Sequence, residues 1–159
     1  LIQHLGGRVR LLLSGGAPLP FEVGSLFRDM GVHLIEGYGL TETAAATCVG
    51  RPGQTPLGSV GPPLPGTEIK IASDGEILIK GPGVMKGYWM DAAASSRILV
   101  NGWLFSGDLG QVDDAGSLTI TGRKKDMIVN AGGKNICATE YREVVSVPCP
   151  HLPNYRSRR

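Results

Sequence analysis

The 159 residues carry a net charge of +2, with 42% apolar and 19% charged side chains, a balance that excludes a disordered chain and offers no basic face for nucleic acid. No stretch reads as a signal peptide or approaches the roughly 18 uninterrupted apolar residues of a membrane-spanning helix. Cys48, Cys137 and Cys149, with the scattered His4, His33 and His151, lack the spacing of a disulfide framework or a zinc site, so free thiols in a reducing cytoplasmic setting are expected.

The 24 glycines and 11 prolines predict many turns, with chemistry carried by loops. Val9 to Leu13 is an apolar run ended by Ser14-Gly15-Gly16, which predicts a buried strand entering a tight loop. A helix is expected next: Pro20 suits a first turn, and Val23, Leu26, Phe27 and Met30 form one apolar face closed by Gly31. Val32 to Ile35 reads as a second strand. The sum is a βαβ-like unit, whose ligands tend to lie beyond the carboxyl ends of the strands. Residues 51 to 65 read as an irregular connection, after which the apolar period becomes two. Thr67 to Ala72 and Glu76 to Lys80 flank the turn Asp74-Gly75, and a second hairpin turns through Asp113 to Gly116. These hairpins predict a small antiparallel barrel or sandwich. Asp126 to Val129 is a further short strand, Thr139 could cap a helix to about Val145, and Pro148, Pro150 and Pro153 would stop it.

Two loops carry the chemistry. Gly15, Gly16, Ala17 and Pro18 form the first; Gly37, Tyr38, Gly39, Leu40, Thr41 and Glu42 form the second. Glycines let backbone N–H groups approach a phosphate, while Thr41 and Glu42 add a hydroxyl and a carboxylate suited to a nucleotide and its divalent cation. The plainer reading is that Thr41 caps a short helix over Glu42 to Ala46 and that Tyr38 simply packs.

The wording Gly37-Tyr38-Gly39-Leu40-Thr41-Glu42-Thr43 resembles the Y-G-x-T-E signature of the adenylate-forming superfamily. Further motifs follow in family order: Gly75-Glu76-Ile77, Gly87-Tyr88-Trp89, Gly102 to Gly110, and Gly122-Arg123-Lys124-Lys125-Asp126. The resemblance runs from Arg8 to about Val145 and looks most like long-chain fatty acyl-CoA synthetases. It implies an α+β, strand-rich fold: the end of an α/β sheet subdomain, a small antiparallel β-barrel, and the first part of a small C-terminal α+β domain. Residues 1–124 would belong to the large AMP-binding domain, with a βαβ-like piece over 1–50 and a barrel-like piece over 51–124. Residues 125–145 would be the hinge and the start of the small domain, and 146–159 a divergent, disordered tail.

The same resemblance implies the roles. Gly15, Gly16, Ala17, Pro18, Gly37 and Gly39 would line the nucleotide, Tyr38 would stack on adenine, and Thr41 would contact phosphate. Glu42 would help hold Mg²⁺, Asp108 would bind the ribose hydroxyls, and Arg123 would contact ribose and phosphate. Lys125 would be the hinge, and Gly132, Gly133 and Lys134 the loop serving thioester formation. Thr41, Glu42 and Arg123 would carry catalysis. The implied reaction joins a carboxylic acid to coenzyme A through acyl-AMP, with ATP and Mg²⁺. A membrane-peripheral location, a peptide-synthetase adenylation domain and a non-catalytic nucleotide-binding remnant stay open. Two family parts have no counterpart here: an upstream phosphate loop ending in Lys, and the lysine of the terminal domain. Leu1 stands where a longer chain would continue upstream, Ala138 replaces a usual Pro, and Pro148 to Arg159 departs from the family. The expectation is a truncated or frame-shifted piece that does not form acyl-AMP alone.

Overall fold

Alternation of apolar and polar residues around tight turns builds most of the described protein. The computed structural model describes residues 3–129 and 135–137. Strand β1 (Leu11–Gly15), helix α1 (Phe21–Asp29) and β2 (His33–Tyr38) form the expected βαβ unit, with β1 and β2 parallel. The helix ends in a Schellman closure: Gly31 takes φ +75°, its N–H reaches Arg28 O, and the Val32 N–H reaches Phe27 O. A short strand β3 (Cys48–Val49) adds antiparallel to β2.

The connection over 51–65 is irregular, as expected, and is pinned at its end. The Val60 N–H donates to Leu118 O and the Leu118 N–H to Gly61 O, both at 2.9 Å, and Ser59 Oγ donates to Leu118 O at 2.9 Å. Gly61 is obligatory there, because a Cβ would sit 2.6 Å from Val49 O and the backbone already lies at φ +80°. Glu36 ties the same connection back to β2 by accepting the Gly58 N–H at 2.7 Å.

Both predicted hairpins form. Strands β4 (Glu68–Ile71) and β5 (Glu76–Lys80) pair across Asp74-Gly75, with Gly75 at φ +86°. A helix α2 (Ala92–Ile98) follows, capped by Asp91 Oδ1 on the Ala94 N–H at 2.8 Å, then a short β6 (Leu99–Val100). The long β7 (Trp103–Val112) turns through Asp113 to Gly116 into β8 (Leu118–Arg123). The second sheet runs β4-β5-β7-β6, with β8 on the other half of the β7 edge that β6 uses. Among the described residues it stays open, so the expected barrel is an open five-stranded sheet. Its edges β4 and β6 do not pair, which leaves closure without its hydrogen bonds. A one-turn 3-10 helix (Lys124–Asp126) leads to β9 (Met127–Val129) and β10 (Asn135–Cys137), which pair antiparallel. The helix expected from Thr139 and the tail lie outside the described residues.

The core lies under this second sheet: Cys48, Val60, Ile77, Ile79, Leu104 and Leu118, with Tyr38, Leu40 and Ile120 packed against it. Burial pushes the Cys48 thiol up to about 12. The first strand departs from expectation. Leu11 and Leu13 are 45% and 61% exposed, and Phe21 and Leu26 of α1 are 60% and 56% exposed. The apolar pattern made the elements, yet no described segment covers that face.

Candidate functional site

The core fixes one end of β2, and the chain leaves it into a tight coil around Gly39. A Cβ on Gly39 would fall 1.5 Å from Ala45 O, so only glycine permits this return. Thr41–Thr43 is a single 3-10 turn whose N-cap position is Leu40. Thr41 therefore does not cap a helix over Glu42 to Ala46. The buried Thr43 organises the turn instead: its Oγ1 accepts the Leu40 N–H at 2.9 Å and donates to Leu40 O at 3.0 Å. Thr47 Oγ1 donates to it from below at 2.9 Å. This leaves Thr41 exposed and Glu42 half-buried on the outer face.

Across from this turn, the second hairpin supplies the opposing charges. Asp108 and Arg123 are direct partners in the β7–β8 register, and Arg123 Nε lies 3.0 Å from Asp108 Oδ1. The Tyr38 hydroxyl donates to Asp108 Oδ2 at 2.8 Å. Asp108 is 4% exposed, and these two partners offset the cost of burying its charge. Burial above all pushes the Tyr38 phenol upward; Ser106 opposes it as the next largest effect, and the neighbouring Asp108 carboxylate adds to the rise. Tyr38 thus stays a proton donor.

Gly39, Leu40, Thr41 and Glu42 form one wall of an open cleft of about 880 Å³; Ser106, Gly107, Asp108, Arg123 and Lys125 form the other. That volume suits a nucleotide-sized ligand, since small-molecule sites run roughly 300–1,000 Å³. The cleft thus unites Thr41, Glu42, Asp108 and Arg123, which the sequence scatters over more than half its length. Tyr38 supports the wall through Asp108 and does not itself line the cleft. Gly15, Gly16, Ala17 and Pro18 do not line it either; Gly15 pairs with Gly37 where the two loops leave their strands. Gly132, Gly133 and Lys134 lie outside the described residues.

Glu76, Tyr88 and Lys124 also line the cleft. The Tyr88 hydroxyl donates to Glu42 Oε1 at 2.6 Å, and this bond raises the Tyr88 phenol above its ordinary value. Lys124 Nζ sits 2.6 Å from Asp74 Oδ2 and 2.7 Å from Glu76 Oε2. The bond to Asp74, then that to Glu76, raises the lysine further. All three residues stand inside the motifs quoted above, but none received a role there. Each has a partner 46 or 48 residues away, beyond the reach of local pattern.

This arrangement can hold a polyphosphate ester of a ribonucleoside: hydroxyl and carboxylate at one wall, acceptor and guanidinium at the other. Among the described residues there is no cluster of three or more His, Cys, Asp or Glu, so Glu42 could only share a cation with ligand oxygens and water. Such sharing is how Mg²⁺ is ordinarily bound beside phosphates. No described helix is long and apolar enough to cross a membrane.

The strand-rich α+β fold, with its nucleotide-sized cleft, matches part of the adenylate-forming enzyme fold in the comparisons with known proteins. The pattern of the family described as AMP-binding enzyme matches residues 2–89; the chain belongs to that family. The long-chain-fatty-acid–CoA ligase FadD15 of Mycobacterium bovis is 47% identical over 83% of this chain and 22% of its own length. A long-chain-fatty-acid–CoA ligase of Bacillus subtilis is 41% identical over 91% of this chain and 28% of its own. The solved O-succinylbenzoate coenzyme A synthetase of Bacillus subtilis, in complex with ATP and magnesium ion, superposes with a TM-score of 0.76. It is 35% identical, over 91% of this chain and 34% of that one. The chain therefore spans 22% to 28% of the length of these two curated relatives.

Proposed function

We propose that the chain supplies the adenylate-holding part of an acid–thiol ligase that activates a long-chain fatty acid with ATP and transfers it to coenzyme A. The observation that carries this reading is the convergence of Thr41, Glu42, Asp108 and Arg123 on one cleft. Resemblance to fatty-acid–CoA ligases supports the choice of acid, and the ATP and magnesium ion of the similar synthetase support the nucleotide.

In the first half-reaction a carboxylate oxygen attacks the α-phosphorus of ATP and pyrophosphate leaves. In the second the thiol of coenzyme A attacks the acyl carbon and AMP leaves. Both steps demand positioning and neutralisation of charge more than proton transfer. Asp108 would accept the two ribose hydroxyls, because each carboxylate oxygen has acceptor sites beyond those used by Arg123 and Tyr38. Arg123, 52% exposed at its side chain, would turn its remaining N–H groups to ribose and phosphate. Thr41 would donate its hydroxyl to phosphate, and Tyr38 would hold the Asp108 carboxylate from behind. Mg²⁺ held by Glu42 would neutralise phosphate charge, and Tyr88 would fix which way that carboxylate points. Lys125, in the short turn between β8 and β9, would be the pivot between half-reactions. Gly132, Gly133 and Lys134 would serve the thioester step.

Calorimetry of AMP with this chain tests the reading. Asp108→Asn should weaken AMP about tenfold or more, as loss of charge-assisted hydrogen bonds does. Equal affinity in both proteins would contradict it. Pyrophosphate release from ATP and palmitate is expected to be absent with the isolated 159 residues, and clear turnover would refute that part.

A further inference from the structure

Glu76 is buried, 5% exposed, yet it bonds to neither the proposed cation site nor the acid. Its two oxygens are divided between β7 and the 3-10 turn that follows β8. Oε1 accepts the Gly107 N–H at 2.9 Å, and Oε2 lies 2.7 Å from Lys124 Nζ. Gly107 directly precedes Asp108, and Lys124 directly follows Arg123. One carboxylate therefore grips the neighbours of both members of the ion pair.

The backbone explains why a side chain is needed here. The β5–β7 ladder is irregular between Glu76 and Leu78, and the β7–β8 ladder between Leu109 and Gly110. Across such a bulge the regular hydrogen bonds are missing and the local chain can be re-aimed. Gly107 turns at φ +72° inside this gap. Two side chains replace the lost ladder: Ser106 Oγ donates to Ile77 O at 2.7 Å, and Glu76 takes the Gly107 N–H. Stability alone gives little reason for a carboxylate in that place, because buried ion pairs seldom outperform well-packed apolar residues. What Glu76 does hold is the residue next to each member of the ion pair, Gly107 before Asp108 and Lys124 after Arg123. A carboxylate reads two adjacent hydroxyls only when both of its oxygens face them, so its angle matters more than its presence.

We propose that Glu76 is a positioning residue that sets the Asp108–Arg123 pair for recognition of a ribose with both hydroxyls. The proposal rests on the reading of the cleft as an adenylate site. Lys124 completes the grip, since Asp74 and Glu76 both keep its ammonium in place at 2.6 and 2.7 Å.

The test compares AMP with 2′-deoxy-AMP by calorimetry on the full chain, with a thermal melt of each protein recorded without nucleotide. The wild type is expected to prefer AMP. In Glu76→Ala that preference should fall at least fivefold, because AMP is weakened far more than its deoxy form. Glu76→Gln keeps an oxygen for the Gly107 N–H and should retain most of the preference. Glu76→Asp keeps the charge but is too short to reach both partners, so it should lose the preference; it decides the matter if the alanine variant does not fold. A merely structural role would weaken both nucleotides by one factor, and that result in the alanine or aspartate variant overturns the proposal. A wild type with no preference between the nucleotides would overturn the site reading itself, and the proposal with it.

Discussion

Asp108 is a buried charge made tolerable by a phenol from β2 and a guanidinium from β8. Removing either partner leaves it short of a hydrogen bond in a place that water barely reaches. Tyr38→Phe keeps the ring in the core and deletes only the donor. It should cost about 2 kcal/mol in urea unfolding, as hydrogen bonds to charged groups do. A loss under about 0.5 kcal/mol would mean that the bond contributes little to stability. At this scale the motif wording named Thr41, Glu42, Asp108 and Arg123, which the fold brings to one cleft. The same wording could not tell that Tyr38 serves Asp108 from behind, or that Tyr88 answers Glu42, because those contacts join segments far apart in the chain.

The β4–β5 turn illustrates an element that the sequence predicts well and whose electrostatics it conceals. Asp74-Gly75 announced the hairpin, but the lysine that meets Asp74 comes from beyond β8. Lys124 holds the Asp74 carboxyl below the usual carboxylate range. A carboxyl whose folded value is depressed stabilises fully above its unfolded value, about 3.9, and loses that contribution as pH falls through the folded one. The stability gap between wild type and Asp74→Asn should therefore narrow as pH is lowered from neutrality through that value. A gap that stays constant into strong acid would contradict the ion pair. Helix α1 illustrates the opposite case. Its i, i+3, i+4, i+7 pattern placed the helix correctly and predicted a buried face, yet Leu26 is 56% exposed while Leu118 of β8 is fully buried. Periodicity reports which face is apolar and cannot report what covers it. Leu118→Ala should cost roughly 2–5 kcal/mol through cavity formation, and Leu26→Ala should stay within about 1 kcal/mol. Similar losses from both in chemical denaturation would show that α1 is packed in solution.

Taken whole, the molecule divides its labour between a βαβ unit that delivers one loop and a second sheet that supplies the opposing wall. Fold class and strand pairing were legible because period-two alternation and the turn residues agreed with one another. Barrel closure was not, since it depends on shear and edge pairing that no short window of sequence encodes. Helix α2 does have a readable start signal, Asp91 ahead of three alanines, but its seven residues show no apolar period to mark it as a helix. The central claim is that the two walls of the cleft hold one adenylate between them. Amide chemical shifts of the ¹⁵N-labelled chain during titration with AMP test it most directly. Residues Gly39 to Glu42, Ser106 to Asp108 and Arg123 to Lys125 should move together along one saturable curve. Shifts confined to a single wall, or to the exposed face of α1, would contradict the account.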